Sequence, residues 1–444
     1  MAVPNEPPTN QDHTLAHNKG GLGFGRHALY YPYFHVRDER WLKLAALYWP
    51  KLVRIVPDGY RTRDSDTVLA LGDEFIVRLP PGRSVDAVAP LFVRLSADHA
   101  DRVRPVLGVL NEQTELARWF QRRRTRNLHP LARRAEHPLT GVHVTQVAPA
   151  VLEALQEAGL AVAPDTGLWH SALHQQNRGW PESALDGRPH ADYAEWVVMR
   201  AELAAVYTTV LAQDFAAANS LQPTTDQEDA YTVATDWTTD GIAAALLHQP
   251  RPPSPSQGEL AQRLGFLALD VVVPAHLDTI PVQKILEVRR RYGAEFFAFG
   301  RAVDEAATAL AQDLPHITDQ VVLENYLRDI VATQFDQPRE ELRRALRRAM
   351  GDAALASINV KVDLPAGAAI AGGAWLTGHP LLAGTLGAAI GLMTIGRGAR
   401  QQRDAARQSS LAVSYLLHTE SSLQAHGLLA RTLARLTHMT GDTH

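Results

Sequence analysis

The stretch from Leu364 to Gly396 constrains the fold of this chain more than any other feature of the sequence. Its thirty-three residues include no Asp, Glu, Lys or Arg, so we expect either the protein itself or lipid to keep it from water. Gly378, His379 and Pro380 interrupt it. Because proline does not continue a helix and glycine often follows a helix end, this apolar segment is predicted to form two helical arms folded back as a hairpin. Each arm is shorter than the roughly 20 residues that a helix needs to cross a bilayer.

Small residues occupy much of the apolar segment, which contains eight glycines and eight alanines. Small side chains let two helix backbones approach closely, and helices associate in lipid in this way. The residues predicted to mediate membrane association or self-association are Gly372, Gly373, Trp375, Gly384, Gly387 and Gly391. Two interpretations stay open: a hairpin buried in a water-soluble core, or a hairpin that contacts lipid or copies of itself.

Two arginine-bearing helices are predicted to flank the apolar segment. In the first helix, Asp336 is predicted to be the N-cap, Pro338 lies in the first turn and Gly351 marks the end. The predicted basic flank comprises Arg343, Arg344, Arg347 and Arg348 before the segment, and Arg397, Arg400, Arg403 and Arg407 after it. Because a hairpin returns to its starting side, both groups would face one anionic membrane surface, at about 1 kcal/mol per basic residue. The alternative is that these arginines form ordinary solvated helix faces.

Composition limits the chemistry and the partners that we expect. The absence of cysteine excludes disulfides, thiolate zinc sites, iron–sulfur clusters and a cysteine nucleophile. A net charge of -4 gives no overall attraction to nucleic acid, so we expect no nucleic-acid partner. The N-terminus lacks a basic start followed by an apolar run. We therefore expect a cytoplasmic protein, peripheral to the inner membrane if the apolar segment contacts lipid.

The hydrophobic pattern predicts an α+β fold that is predominantly α-helical. The predicted elements include a strand or extended segment at 28–36, a helix at 39–49 capped by Asp38, and strands at 51–56, 74–79 and 269–273. Long helices are predicted at 193–219 and 279–314, the last capped by Asp278. The predicted organisation is a disordered N-terminus (1–25), a small α/β module (26–110), a helical region (111–248), a Pro-rich linker (249–258), a second helical region (259–351), and the apolar hairpin with a C-terminal helix (352–444).

Three runs of sequence carry a resemblance to a known family. They are ALYYPYFHVRDERWLKLAALYWPKLVRIVPDGY, AELAAVYTTVLAQDFAAANSLQPTTD and VVPAHLDTIPVQKILEVRRRYGAEFFAFGR. With these runs, the chain from about Ala28 to Asp313 resembles an uncharacterised family of bacterial proteins, domain of unknown function 6236. The resemblance implies no activity, cofactor or catalytic residue.

Sequence motifs for catalysis are weak. The chain has no GxxxxGK[ST] phosphate loop, no GxSxG nucleophile elbow and no HExxH zinc motif. The candidates for metal or carboxylate chemistry are short pairs: His170 with His174, Asp64 with Asp66, and Asp236 with Asp240. Two imidazoles without a third ligand make a weak zinc site, and aspartates in turn-like sequence more often cap the backbone. We therefore expect no catalytic residue, no metal and no cofactor.

Three hypotheses about function stay open. The first is a non-catalytic cytoplasmic interaction protein with an unknown protein partner, within a bacterial defence or stress process. The second is a membrane-active effector whose apolar segment inserts into or associates with a membrane and self-associates into a homo-oligomer. The third is a hydrolase of unrecognised type.

Overall fold

A computed structural model describes most of the chain. The described residues are 27–36, 38–57, 60, 62, 64–109, 138–162, 196–227, 237–247, 256–313, 320–350 and 410–423, with the side chains of 313, 320 and 345–350 left out. The expected disordered N-terminus and the whole apolar segment lie outside these residues.

The described residues form two small sheets and a larger set of helices, so the predicted α+β, predominantly helical fold is confirmed. The strands are β1 (Ala28–Tyr30), β2 (Leu52–Ile55), β3 (Ile76–Leu79), β4 (Leu139–His143), β5 (Ala161–Val162), β6 (Trp196–Arg200) and β7 (Gln222–Thr224). The helices are α1 (Glu39–Tyr48), α2 (Asp66–Phe75), α3 (Ser84–Leu107), α4 (Pro149–Glu157), α5 (Ala201–Ala218), α6 (Thr239–Leu246), α7 (Gln257–Asp270), α8 (Val282–Arg291), α9 (Gly293–Asp313), α10 (Gln320–Val331), α11 (Gln337–Met350) and α12 (residues 410–423).

The first sheet is parallel, with the strand order β3-β2-β1-β7. The chain moves outward from β1 through β2 to β3, whereas β7 lies on the opposite side of β1. The strand order therefore reverses between β1 and β7, and all four carboxyl ends meet at one edge. The second sheet is antiparallel, with the order β4-β6-β5.

Hydrophobic cores cover both faces of the parallel sheet. Successive residues of a strand point to opposite faces, so Leu52 and Val53 of β2 lie in different cores. The first core contains α1, α2, α7, α8, α9, α10 and α12, and the second contains α3, α4, α5 and α6. Helices α1 and α2, which connect consecutive parallel strands, pack in the first core, as parallel strands require a covered face.

Several predicted elements are confirmed in the first part of the chain. Helix α1 begins after Asp38, whose Oδ1 accepts a hydrogen bond from the Trp41 N–H at 2.8 Å. Strands β2 and β3 lie within their predicted ranges. Sequence analysis misses α2, which Ser65 caps within the turn-like run RTRDSDT. Polar turn residues and N-caps are the same residue types, so this run did not distinguish a turn from a helix start.

The prediction of one helix over 193–219 is wrong in its first part. Residues Trp196–Arg200 form strand β6, all five buried, and α5 begins only at Ala201. Helix α5 is buried on nearly all sides, so neither element shows the one-sided pattern that separates a period of 2 from a period of 3.6.

Two further predictions near residue 275 are wrong. Residues 269–273 are not a strand: α7 continues through Asp270, and the next turns bring the amides of Val272 and Val273 to the Leu269 carbonyl at 2.9 Å. A short buried apolar run has the same sequence pattern in a strand and in a helix. The predicted helix at 279–314 is two helices, α8 and α9, separated at Tyr292 (φ -115°, ψ 41°), and Asp278 lies in a short 3₁₀ turn before Pro281.

Asp336 is not an N-cap, because α10 continues into α11 through a π turn at Ala332–Asp336. The Gln337 N–H donates to the Ala332 carbonyl, five residues earlier. Pro338 follows directly, and a proline ring clashes with the carbonyl four residues before it in a regular α-helix. The wider π turn accommodates this proline within one continuous helix. The predicted domain boundaries stay predictions.

Candidate functional site

Helix α12 lies in the first core, beside the part of the chain that precedes the apolar segment. The Tyr415 hydroxyl donates to the Leu47 carbonyl of α1 at 2.8 Å, and its ring packs against Phe296 and Phe299 of α9 at 5.7 and 5.5 Å. The side chain is fully buried, and burial raises the pKa of Tyr415. A buried hydroxyl that keeps its hydrogen-bond partner fixes the orientation of the helix that carries it.

Arg289 of α8 joins the helices that surround α12. Its guanidinium donates to the Trp49 and Pro50 carbonyls at 2.7 Å each, and also to the Ala46 carbonyl, at the end of α1. The same group lies 5.0 Å from the ring centroid of Phe75 and 5.2 Å from that of Phe296. Burial lowers the pKa of Arg289. A cation at a helix C-terminus complements the partial negative charge of the last carbonyls.

Helices α11 and α12 are joined by a cluster of five charged side chains, which we call the Glu420 clamp: Asp336, Arg339, Glu340, Arg343 and Glu420. Arg339 Nη1 lies 2.5 Å from Glu420 Oε2, and the Arg339 Nη2 atom lies 2.6 Å from Asp336 Oδ1. Arg343 Nη1 lies 2.8 Å from Glu340 Oε1, and the Arg343 guanidinium also pairs with Glu420 Oε2. One carboxylate oxygen of α12 therefore accepts from two arginines of α11.

The central pair of the clamp is shielded from water. The side chain of Arg339 is 7% exposed and that of Glu420 is 11% exposed. Burial lowers the pKa of Arg339, but hydrogen bonds and charges from Asp336 and Glu420 outweigh it, so the pKa is raised overall. Because a buried charge without its partner is costly, the pair holds only when both helices are in place.

The Glu420 clamp connects the two helices that flank residues 351–409. Helix α11 ends at Met350, seven residues beyond Arg343, or about 10 Å along the helix axis. Ser410, the first described residue of α12, lies ten residues before Glu420, or about 15 Å along the helix axis. The last described residue of α11 and the first described residue of α12 therefore lie within roughly 30 Å of each other, whichever way the two helices run.

The structure places part of the predicted basic flank. Arg343 is a partly buried member of the clamp, and Arg344 is exposed, with its Nε donating to the Glu340 carbonyl at 3.3 Å. Arg347 and Arg348 lie in α11, but their side chains lie outside the described residues. The remaining predicted site residues lie outside as well: Arg397, Arg400, Arg403, Arg407, Gly372, Gly373, Trp375, Gly384, Gly387 and Gly391. A role for these residues in membrane association or self-association stays a prediction.

The predicted carboxylate and histidine pairs are separated or lie outside the described residues. Asp64 forms a buried ion pair with Arg54, whereas Asp66 lies in the first turn of α2. Asp240 lies 3.0 Å from His99 Nε2, and its partner Asp236 lies outside. His170 and His174 lie outside too. Across the part of the chain that the structure describes, no group of three or more His, Asp or Glu side chains is placed to hold a metal ion.

Sequence analysis missed Glu420, the residue that the clamp depends on. It is a single acid within the otherwise weakly charged run LAVSYLLHTE, and its arginine partners precede it by 77 and 81 residues. The only available signal in the sequence was a lone carboxylate on a helix whose other side chains suit a hydrophobic core.

None of the described helices has the length and apolar character needed to cross a membrane.

Comparison with protein families matches residues 57–424 to a family of unknown function, DUF6236. The matched range begins at the fourth residue from the end of the first quoted run, and it extends beyond Asp313 and the apolar segment to residue 424. No curated protein and no solved structure matches the chain.

Proposed function

The chain belongs to DUF6236, a family of unknown function, and from its geometry we propose that it is a non-catalytic interaction protein whose interacting element is the apolar segment. The observation that carries the proposal is the sharing of Glu420 by Arg339 and Arg343, which ties together the two helices flanking that segment. The expected partner is a protein, either a different chain or a second copy of this one.

The energetics of the clamp support this assignment. Buried ion pairs often contribute less stability than apolar side chains of the same volume would, because both charges lose their hydration. Their best-attested use is to fix the alignment of two elements. Here the pair aligns α11 and α12, the described helices on either side of residues 351–409.

A second candidate function is association with an anionic membrane surface. The exposed guanidinium of Arg344, on the helix that leads into the apolar segment, favours this candidate. Basic side chains near an anionic leaflet contribute about 1 kcal/mol each, and salt screens this attraction.

The two candidates are separated by comparing the full chain with a variant in which a Gly/Ser linker replaces residues 364–396. For the interaction protein, we expect cross-linking to yield oligomers or a defined complex only when the apolar segment is present. For membrane association, the full chain should float with phosphatidylserine vesicles, and Arg344→Glu should weaken flotation at low salt. Arg94→Glu, at an exposed arginine of α3, is the matched control.

The proposal would be contradicted if the full chain and the linker variant self-associate, form complexes and float with vesicles to the same extent. Circular dichroism and thermal unfolding of both proteins check that the linker variant keeps the described fold.

A further inference from the structure

A histidine of α12 stacks on the tyrosine that separates α8 from α9. The rings of His418 and Tyr292 are parallel, with an interplanar angle of 2° and 4.2 Å between their centroids. Tyr292 belongs to the first core and is 9% exposed, whereas His418 is half-buried, so that protons from solvent reach its imidazole. The stack therefore joins α12 to the junction of α8 and α9 through a titratable group.

Two charged side chains beside the stack act on the imidazole in opposite directions. Arg291 directly precedes Tyr292, and its guanidinium lies 5.7 Å from the centroid of the Tyr292 ring. Burial has the largest effect on the pKa of His418 and lowers it. The negative charge of Glu295 in α9 raises this pKa and the positive charge of Arg291 lowers it, so that the pKa is lowered overall.

The Glu420 clamp lies on another side of α12. Residues two positions apart in an α-helix are rotated by about 200° around its axis, so Glu420 and His418 point in nearly opposite directions. Helix α1 meets α12 through an uncharged group, the Tyr415 hydroxyl. Among the described residues, the charges that act on the imidazole are therefore those of Arg291 and Glu295.

Protonation of His418 adds a cation next to one that is already there. A tyrosine ring attracts a cation, but the Arg291 guanidinium already lies beside the Tyr292 ring, and the two positive charges repel each other. Burial adds a desolvation cost to the charged imidazole. The folded state therefore binds the proton less readily than the unfolded state. The stack contributes fully to stability above about pH 6.5, the ordinary pKa of histidine, and this contribution is lost as the pH falls.

We propose that the stack of His418 on Tyr292 is an acid-sensitive contact that regulates how often α12 opens from the first core. The neutral imidazole holds α12 against the junction of α8 and α9, and the imidazolium weakens this contact. Because α12 is one of the two described helices on either side of residues 351–409, acid acts on one of the helices that flank the apolar segment. The proposal concerns α12 itself and does not depend on which partner the apolar segment binds.

Nuclear magnetic resonance titration of the His418 imidazole in the full chain tests the charge argument. We expect a midpoint below about pH 6.5 in the unchanged protein. Arg291→Gln should raise the midpoint, because it removes a repelling charge, and Glu295→Gln should lower it, because it removes an attracting one. A midpoint at or above about pH 6.5, or shifts of the same sign in both variants, would overturn the proposal.

Hydrogen exchange of the α12 amides, corrected for the intrinsic effect of pH on exchange, tests the effect on opening. Between about pH 7.5 and pH 5 we expect their protection to fall at least about threefold more than that of the amides of α5, in the second core. His418→Phe keeps a flat ring on Tyr292 but takes up no proton, so it should remove this extra loss. His99→Phe, at a half-buried histidine of α3, is the matched control and should keep the loss.

Two results of the exchange experiment would overturn the proposal. Equal loss of protection in α12 and α5 would show that acid acts on the whole fold. The same extra loss in the unchanged protein and in His418→Phe would show that another group responds to acid. The titration and the comparison of α12 with α5 use the unchanged protein, so both stay decisive if the His418→Phe protein does not fold.

Discussion

At the scale of single residues, Glu420 is the group on which the junction of α11 and α12 depends most. Two guanidinium groups converge on its Oε2 atom. Removing the carboxylate leaves the guanidinium of Arg339, which is almost fully buried, with fewer hydrogen-bond acceptors. We expect Glu420→Gln to lower the free energy of unfolding by about 2–4 kcal/mol, since removing one charge of a buried ion pair leaves the other charge without that partner. Urea unfolding measures the change. Glu341→Gln, at an exposed acid of α11, is the control, and an equal effect of both substitutions would contradict the role of the clamp.

Glu259 gives a prediction about pH at the same scale. Its Oε2 accepts from the Ser256 N–H at 2.7 Å and the Ser256 hydroxyl accepts from the Glu259 N–H at 3.3 Å, so the two residues form the capping box of α7. Burial raises the pKa of Glu259 from 4.5 to about 7, although Ser256 and Arg263 oppose the shift. Between these two values the folded state holds more protons than the unfolded state, so this group's contribution to stability falls as pH rises.

Glu259→Gln keeps an acceptor for the Ser256 N–H and removes the titration. At pH 5 the variant and the unchanged protein should unfold at similar urea concentrations. At pH 8 the variant should be more stable by on the order of 2 kcal/mol, because it no longer holds a buried carboxylate. A stability difference that is the same at both pH values would show that Glu259 does not titrate in this range.

At the scale of elements, the end of α1 depends on a donor from another helix. Arg289 donates to the carbonyls of Ala46, Trp49 and Pro50, which no later turn of α1 can satisfy. Arg289→Met fills a similar volume without donors, and we expect it to cost about 2–4 kcal/mol, because each buried carbonyl left unpaired costs about 1–3 kcal/mol. Hydrogen exchange should quicken at the last amides of α1. Arg290→Met, at a neighbouring side chain that is 65% exposed, should leave exchange unchanged.

Elements were predictable from sequence where local chemistry alone determines them. Asp38 identified the start of α1 because an N-cap acts within three residues. Strand β6 was missed because burial on all sides removes the pattern that separates helix from strand. The true end of α7 was missed because a short apolar run has the same pattern in a strand and in a helix. Asp336 was misassigned because the π turn that accommodates Pro338 is a property of the whole helix. The clamp was not predictable, since its contacts between the two helices join Glu420 to Arg343 and Arg339, which lie 77 and 81 positions earlier in the chain.

At the scale of the whole molecule, α12 completes a core built mainly from residues that precede the apolar segment. Tyr415, Leu416 and Leu423 are each at most 1% exposed and lie in the same core as β1, β2 and α1. Burial of each large apolar side chain contributes about 1.5–3 kcal/mol. Since the Glu420 clamp adds a specific contact to this apolar surface, α12 should stay bound even when its covalent connection to α11 is cut.

A protease recognition site inserted between Gly396 and Arg397 tests this expectation. After cleavage, the fragment carrying α12 should co-elute with the rest of the chain in size-exclusion chromatography, and separate only in denaturant. Glu420→Ala should lower the denaturant concentration at which the fragments part, because it removes the contact that both Arg339 and Arg343 make to α12. Separation of the fragments in native buffer would show that α12 is held by chain connectivity alone, and that burial of Tyr415 is insufficient to retain it.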